Sequence, residues 1–356
     1  MDLLKLIEEL EKLRRPSGAF IAASSNKDYQ ACWLRDHLYN VLAYYYLGEF
    51  EKLQKGVWVA FDILHKYLNK INKAICHPPS LNENVHEFIH AKYHPDTFNE
   101  IDNIWGHHQL DTLGLLFHVV ADLDFKNIKV IRNKNDLKLI QLLVFYLLSV
   151  KFWENPDNGM WEEGPDLHSS SIGSVVAGLS YIDRREIVVV PPQMISMGKE
   201  VLNSILPRES FNREVDMAQL SLIWPYNIIS RDIADVILSR VKSKLVQPHG
   251  LYRYQGDTYL GDRFIRSQDG VSAQWPIGFF WLSIIYSQRH EIKEAGRWFE
   301  RGIKQVIFDN QIPEAYVNNK PNKNFPLAWA HSLAIIALKK IETENKQTIT
   351  SQEVLD

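Results

Sequence analysis

Apolar side chains recur at helical spacing along almost the whole chain, in stretches near 1–14, 34–47, 51–72, 108–123, 136–153, 171–182, 191–206, 216–223, 230–244, 273–288, 290–306 and 326–341. In the first of these, Leu3, Ile7, Leu10 and Leu13 return every three or four residues with Glu and Lys between them, the stripe that lets a helix bury one face. Strand-like alternation is scarce. The β-branched run Ile187-Val188-Val189-Val190 stops at Pro191-Pro192 and predicts no more than a short extended link. The pattern therefore predicts an all-α protein with about a dozen helices.

Long connections separate these helices at Pro16–Trp33, His77–Gly106, Asn155–Ser171, Gln247–Val271 and Phe308–Phe325. Connections of that length in a compact domain tend to carry function. No composition shift or low-complexity tract marks a second domain, so residues 1–341 are expected to form one. The segment 342–356 is polar, lacks apolar periodicity and is expected to fray.

Composition narrows the function. Ten Trp, fifteen Tyr and sixteen Phe exceed what a core of aliphatic helices needs, which suggests a ligand that meets flat rings. A net charge of −3 offers no field for a polyanion, so no nucleic-acid partner is expected. The longest apolar run, Leu142 to Val150, is far below the roughly 20 residues that span a bilayer, so no membrane partner is expected either. Cys32 and Cys76 make neither a disulfide framework nor a CxxC site, and the amino terminus reads as a docked helix rather than a signal peptide. A cytoplasmic location is the expectation.

Candidate chemistry sits on the long connections. In Asn158-Gly159-Met160-Trp161-Glu162-Glu163-Gly164-Pro165 a Trp stands beside paired carboxylates, ahead of His168-Ser169-Ser170-Ser171. An indole can desolvate one acid and raise its pKa while the other stays hydrated. Two surface glutamates before a serine-capped helix would look the same locally. Another carboxylate occurs in Ile312-Pro313-Glu314-Ala315-Tyr316, where a solvated loop residue is an equal reading. Glycoside hydrolysis needs one carboxylic acid and one carboxylate, and two loop carboxylates next to aromatics could supply both. Trp33-Leu34-Arg35-Asp36 and Tyr252-Arg253-Tyr254-Gln255-Gly256-Asp257-Thr258-Tyr259, the latter ahead of Gln274-Trp275-Pro276, join guanidinium, carboxylate and rings in ways that suit sugar hydroxyls and sugar faces. Helix-end charge pairing and turn chemistry would explain some of the same residues.

These segments, in this order, resemble glycoside hydrolase family 15, the glucoamylase-type enzymes. Trp161-Glu162-Glu163 with Ser169-Ser170-Ser171 is similar to the catalytic-acid segment, Arg35-Asp36 to the clamp on the nonreducing glucose, Arg253-Tyr254 with Asp257-Thr258-Tyr259 to the substrate arginine segment, and Pro313-Glu314 to the catalytic-base segment. Trp105-Gly106-His107-His108-Gln109-Leu110-Asp111 resembles the subsite segment, in a form especially close to the amino-terminal domain of phosphorylase kinase regulatory subunits. The resemblance implies an (α/α)6 toroid that needs no cofactor and takes an α-glucan or α-gluco-oligosaccharide. It implies Glu162 as general acid and Glu314 as general base, with Glu163 shaping the leaving-group subsite. Arg35, Asp36 and Arg253 would hold the terminal glucose, Trp33, Trp105, Trp161 and Trp275 would line the site, and Gln109, Asp111 and Asp257 would join the substrate-binding set. Within these 356 residues there is neither the amino-terminal β-domain of many bacterial relatives nor a starch-binding module, so small soluble glucans are expected. The base segment reads PEAY where bacterial relatives have PEQ.

Two rivals remain at this level. His86-Glu87-Phe88-Ile89-His90 matches the HExxH pattern of zinc hydrolases, which requires both His on one helical face. The likeness to kinase regulatory subunits also allows a glucan-binding module without turnover, against which the retention of both Glu162 and Glu314 weighs.

Overall fold

A computed structural model describes residues 2–101, 106–261, 267 and 270–353. Among the described residues the helices are α1 (Leu3–Lys12), α2 (Leu34–Leu47), α3 (Phe50–Lys66), α4 (Leu68–Cys76), α5 (Leu110–Phe125), α6 (Lys134–Ser149), α7 (Ser169–Arg184), α8 (Pro192–Ile205), α9 (Leu220–Ile223), α10 (Arg231–Lys244), α11 (Ile277–Gln288), α12 (Ile292–Ile303) and α13 (Ala328–Glu353). Two antiparallel ladders complete the framework: β1 (Cys32–Trp33) with β2 (Lys92–Tyr93), and β3 (Tyr316–Val317) with β4 (Lys320–Pro321).

Helices α2, α5, α7, α9, α11 and α13 pack each on the next, and α13 returns to α2 to close the ring. An outer layer wraps them: α3 on α2, α8 on α7, α10 on α9, α12 on α11, α1 on α13, and α6 against α3 and α4. The result is an (α/α)6 barrel. Sequence decides which layer each helix joins. Nearly every residue of α11 is buried, whereas α12 buries only Ala295, Trp298 and Gly302. A helix that is apolar all round must be surrounded, and one with a stripe can face water. Helices α5 and α7 approach so closely that a Cβ on Gly178 would stand 2.5 Å from the Gly114 carbonyl oxygen.

The connections into the inner helices are long and those leaving them are short. All long connections therefore reach the barrel at the amino-terminal ends of the inner helices. The expected helix over 51–72 breaks at Tyr67, whose hydroxyl donates to the Phe98 carbonyl and accepts from the Glu100 amide. That tertiary tether, invisible in periodicity, separates α3 from α4. The segment expected to be helical over 216–223 opens instead as a 3-10 turn capped by Asp216 and Gln219, and α13 stays helical through Glu353. Residues 187–190 form no strand, and both backbone groups of Val189 bond to the Gln141 amide. No helix among the described residues is long and apolar enough to cross a membrane.

Candidate active site

The loop before α7 is built around Asn158 and Asp157. The Asn158 side chain donates to the Glu163 carbonyl at 2.6 Å and accepts from the His108 amide at 3.1 Å. Asp157 accepts from the Leu110 amide at the start of α5 and pairs with His168 at 3.0 Å. Burial alone would lower the His168 pKa, but the bond and charge of Asp157 raise it to about 9. These ties force a sharp turn in which Glu162 itself takes a left-handed φ of 61°. Trp161 is held by its indole N–H, which donates to the buried Asp216 at 2.7 Å.

Glu162 consequently projects into a cavity with 24% of its side chain accessible and Arg35 Nη2 3.9 Å away. Burial pushes its carboxyl up to about 7, with the Arg35 charge and the Gln109 amide opposing and Asp36 adding to the rise. A carboxyl in that setting holds a proton near neutrality and can donate it. Its neighbour Glu163 is tied down instead, accepting from Arg253 at 2.9 Å, Tyr254 at 2.8 Å and Arg213 at 3.0 Å.

Glu314 stands at the foot of the β3–β4 hairpin. Asn318 and Asn319 close that hairpin, both with positive φ, which Asn tolerates better than most residues. The hairpin's return brings Asn322 and Asn324 back beside Glu314, and each donates to Oε2 at 2.7 Å. Tyr29 donates to Oε1 at 2.6 Å, and its oxygen lies 2.5 Å from the Tyr259 hydroxyl. Burial raises the Glu314 pKa, while the bonds from Tyr29, Asn324 and Asn322 pull it back. The segment around Gly261 presses against this cluster: φ is 87°, and a Cβ there would stand 2.2 Å from Asn322 Nδ2.

Both glutamates line one cavity of about 200 Å³, walled by Tyr29, Trp33, Trp161, Tyr259, Trp275 and Trp329 and by Arg35, Asp36, Lys92, Glu163 and Arg253. Arg35 is buried, reaching Gln109 at 2.8 Å and Asp111 at 3.4 Å, with Asp36 3.6 Å from its Nε. Burial raises Asp36 to about 6 against the pull of Arg35. Arg253 makes two 2.7 Å bonds to Asp257 and lies 5.3 Å from the centre of the Trp275 ring.

Glu162, Glu314, Trp33, Arg35, Asp36, Trp161, Glu163, Arg253 and Trp275 thus meet in one place. Gln109, Asp111 and Asp257 lie behind the wall, bonded to the two arginines. Trp105 lies outside the described residues. The HExxH segment is not a zinc helix: Val85–Glu87 is a 3-10 turn, Glu87 pairs with Lys73, and the His90 ring stacks on His107 at 4.5 Å. Among the described residues no group of three or more His, Cys, Asp or Glu side chains is placed to hold a metal ion. Sequence reading missed Tyr29, Asn322, Asn324, Arg213 and Lys92. None of these carried a distinguishing signal in the sequence; Lys92 is placed only by the β1–β2 register, which sets it opposite Trp33 with its Nζ 4.3 Å from that ring's centre.

A profile of the family described as "Glycosyl hydrolases family 15" matches residues 3–336. The chain belongs to glycoside hydrolase family 15. Within that family's reach it is similar to the liver isoform of phosphorylase b kinase regulatory subunit alpha from Oryctolagus cuniculus, 26% identical over 390 residues. That alignment covers 90% of this chain and 31% of the subunit, so the chain spans about a third of that relative's length. In fold it is similar to a glycosidase variant solved in complex with glucose, at a TM-score of 0.77, 18% identity and coverage of 96% of this chain and 99% of that one. The glucoamylase of Saccharomycopsis fibuligera superposes at a TM-score of 0.68 with 14% identity, covering 96% and 94% of the two chains.

Proposed function

We propose that this member of family 15 is an inverting, exo-acting α-glucoside hydrolase that releases β-glucose from the nonreducing end of small α-glucans or α-gluco-oligosaccharides. One observation carries the reading: two carboxylates face one aromatic cavity, both raised by burial but in different hydrogen-bond settings, Glu162 beside Arg35 and Glu314 wrapped in three donors. Glu162 acts as general acid. It protonates the glycosidic oxygen as the bond from that oxygen to the anomeric carbon breaks. Glu314 acts as general base, taking a proton from the water whose oxygen bonds to the same carbon from the other face. Arg35, Asp36 and Arg253 hold the terminal glucose by its hydroxyls, and the Trp rings pack on its faces. An unbridged Cys32 and Cys76 suit a reducing compartment such as the cytoplasm.

Inversion requires room for that water, so the carboxyl groups of Glu162 and Glu314 are expected about 6.5–9.5 Å apart in the substrate complex. The test is proton NMR of the first product from maltose, isomaltose, trehalose and maltooligosaccharides. The β-anomer of glucose should appear before mutarotation, and α-glucose as first product overturns the mechanism. The likeness to kinase regulatory subunits supports a second reading, a glucan-binding regulatory module. Tight oligosaccharide binding by calorimetry with no glucose released from any of the panel would favour it.

A further inference from the structure

The hydrogen-bond capacity around Glu314 can be accounted for atom by atom. Asn324 is fully buried. Its Nδ2 donates to Glu314 Oε2 at 2.7 Å and to the Gly261 carbonyl at 2.8 Å, and its Oδ1 accepts from Asn26 Nδ2 at 2.8 Å. Rotating the amide by half a turn would set Oδ1 against two acceptors and Nδ2 against a donor, so this side chain can only donate to Glu314. Asn322 is oriented in the same sense: its Oδ1 accepts from the amides of Ala315 and Asn324, which leaves Nδ2 for Oε2 at 2.7 Å. A carboxylate oxygen offers two lone-pair sites. Among the described residues both sites of Oε2 are occupied, whereas Oε1 accepts from Tyr29 and keeps one site.

Resting on the hydrolase reading above, we infer that Asn322 and Asn324 are positioning residues that saturate Oε2 of Glu314, hold the group as an anion, and leave Oε1 as the oxygen that takes the proton from the attacking water. The balance is simple. The water oxygen bonds to the anomeric carbon, its proton goes to Oε1, and the leaving oxygen receives the proton of Glu162. Neither asparagine touches the reacting atoms. Their donors favour the ionised carboxylate, and removing either lets the proton return to Glu314 at a higher pH.

The experiment compares pH profiles of kcat/KM for the wild type with those of Asn322→Ala, Asn324→Leu and Glu314→Gln, with thermal melting of each. Asn322→Ala changes a half-buried residue and is expected to fold. In both asparagine variants the acidic limb should move up by about one to two pH units, the shift expected on losing one hydrogen bond to a charged group. The limiting kcat/KM obtained by fitting both limbs, and KM, should change little. Asn324→Asp, which sets a second carboxyl against Oε2, should move the limb further up, because two adjacent carboxyls cannot both ionise. An acidic limb that stays in place in Asn322→Ala and in every folded Asn324 variant overturns the inference. Turnover retained by Glu314→Gln would instead remove the base itself, a failure of the hydrolase reading, so the two outcomes are distinguishable.

Discussion

The loop that carries Glu162 and the hairpin that carries Glu314 meet at one cavity and both bury a carboxyl, but they surround it with different partners. Around Glu162 the surroundings are a neighbouring Trp161, a guanidinium at 3.9 Å, the Gln109 amide and the acidic Asp36, so burial dominates and the carboxyl is raised to about 7. Around Glu314 burial is deeper, yet three hydrogen-bond donors converge on its two oxygens. On the proposed reading, what separates the acid from the base is the count of donors supplied by other loops, more than the degree of burial.

The largest test of that contrast is to neutralise each partner. Glu162→Gln and Glu314→Gln should each lower kcat by about 10²- to 10⁴-fold with melting temperature preserved, since each change is nearly isosteric and removes only proton transfer. Near-normal turnover in either folded variant would erase the distinction. Arg35→Lys comes next. A point ammonium cannot reproduce the bond to Gln109 and the reach to Asp111 together, so kcat/KM on the best disaccharide should drop about ten- to a hundredfold.

A pH profile sharpens the comparison without mutation. The general acid must be protonated, so kcat/KM should fall as pH rises through about 7, the value to which burial raises Glu162. The base must be ionised, so activity should also fall on the acid side, at a pH above the ordinary Glu value because burial raises Glu314. A profile flat across pH 6 to 8, the region around that value of about 7, would show that Glu162 is not the titrating acid. The smallest effect is expected far from both carboxyls. Glu87 pairs with the largely exposed Lys73, so Glu87→Ala should cost under about 1 kcal/mol in thermal unfolding and leave glucose release unchanged.

Apolar periodicity was enough for the all-α class and for most helix positions, because a buried helix must repeat its apolar residues near every turn whatever lies beyond it. α2 falls on the predicted 34–47. That Trp161, Glu162, Glu314 and Arg253 on long connections and Arg35 and Asp36 at the start of α2 are candidates for one site was also legible from their residue types, and all six line the same cavity. Periodicity could not show the break at Tyr67 or the placing of Asp111 and Asp257 behind the arginines rather than on the cavity wall. The break at Tyr67 and the place of Asp111 depend on partners distant in sequence, whereas Asp257 bonds to Arg253 only four positions away and is set behind it by the way Arg253 faces the cavity. The same limit hid Tyr29, which lies 285 positions from Glu314 in sequence yet bonds to it at 2.6 Å. The types of group at the site were set by the sequence alone. How far each carboxyl is desolvated and how many donors it meets was decided by the barrel, because both arise only when loops from different helix pairs close on the same few ångströms.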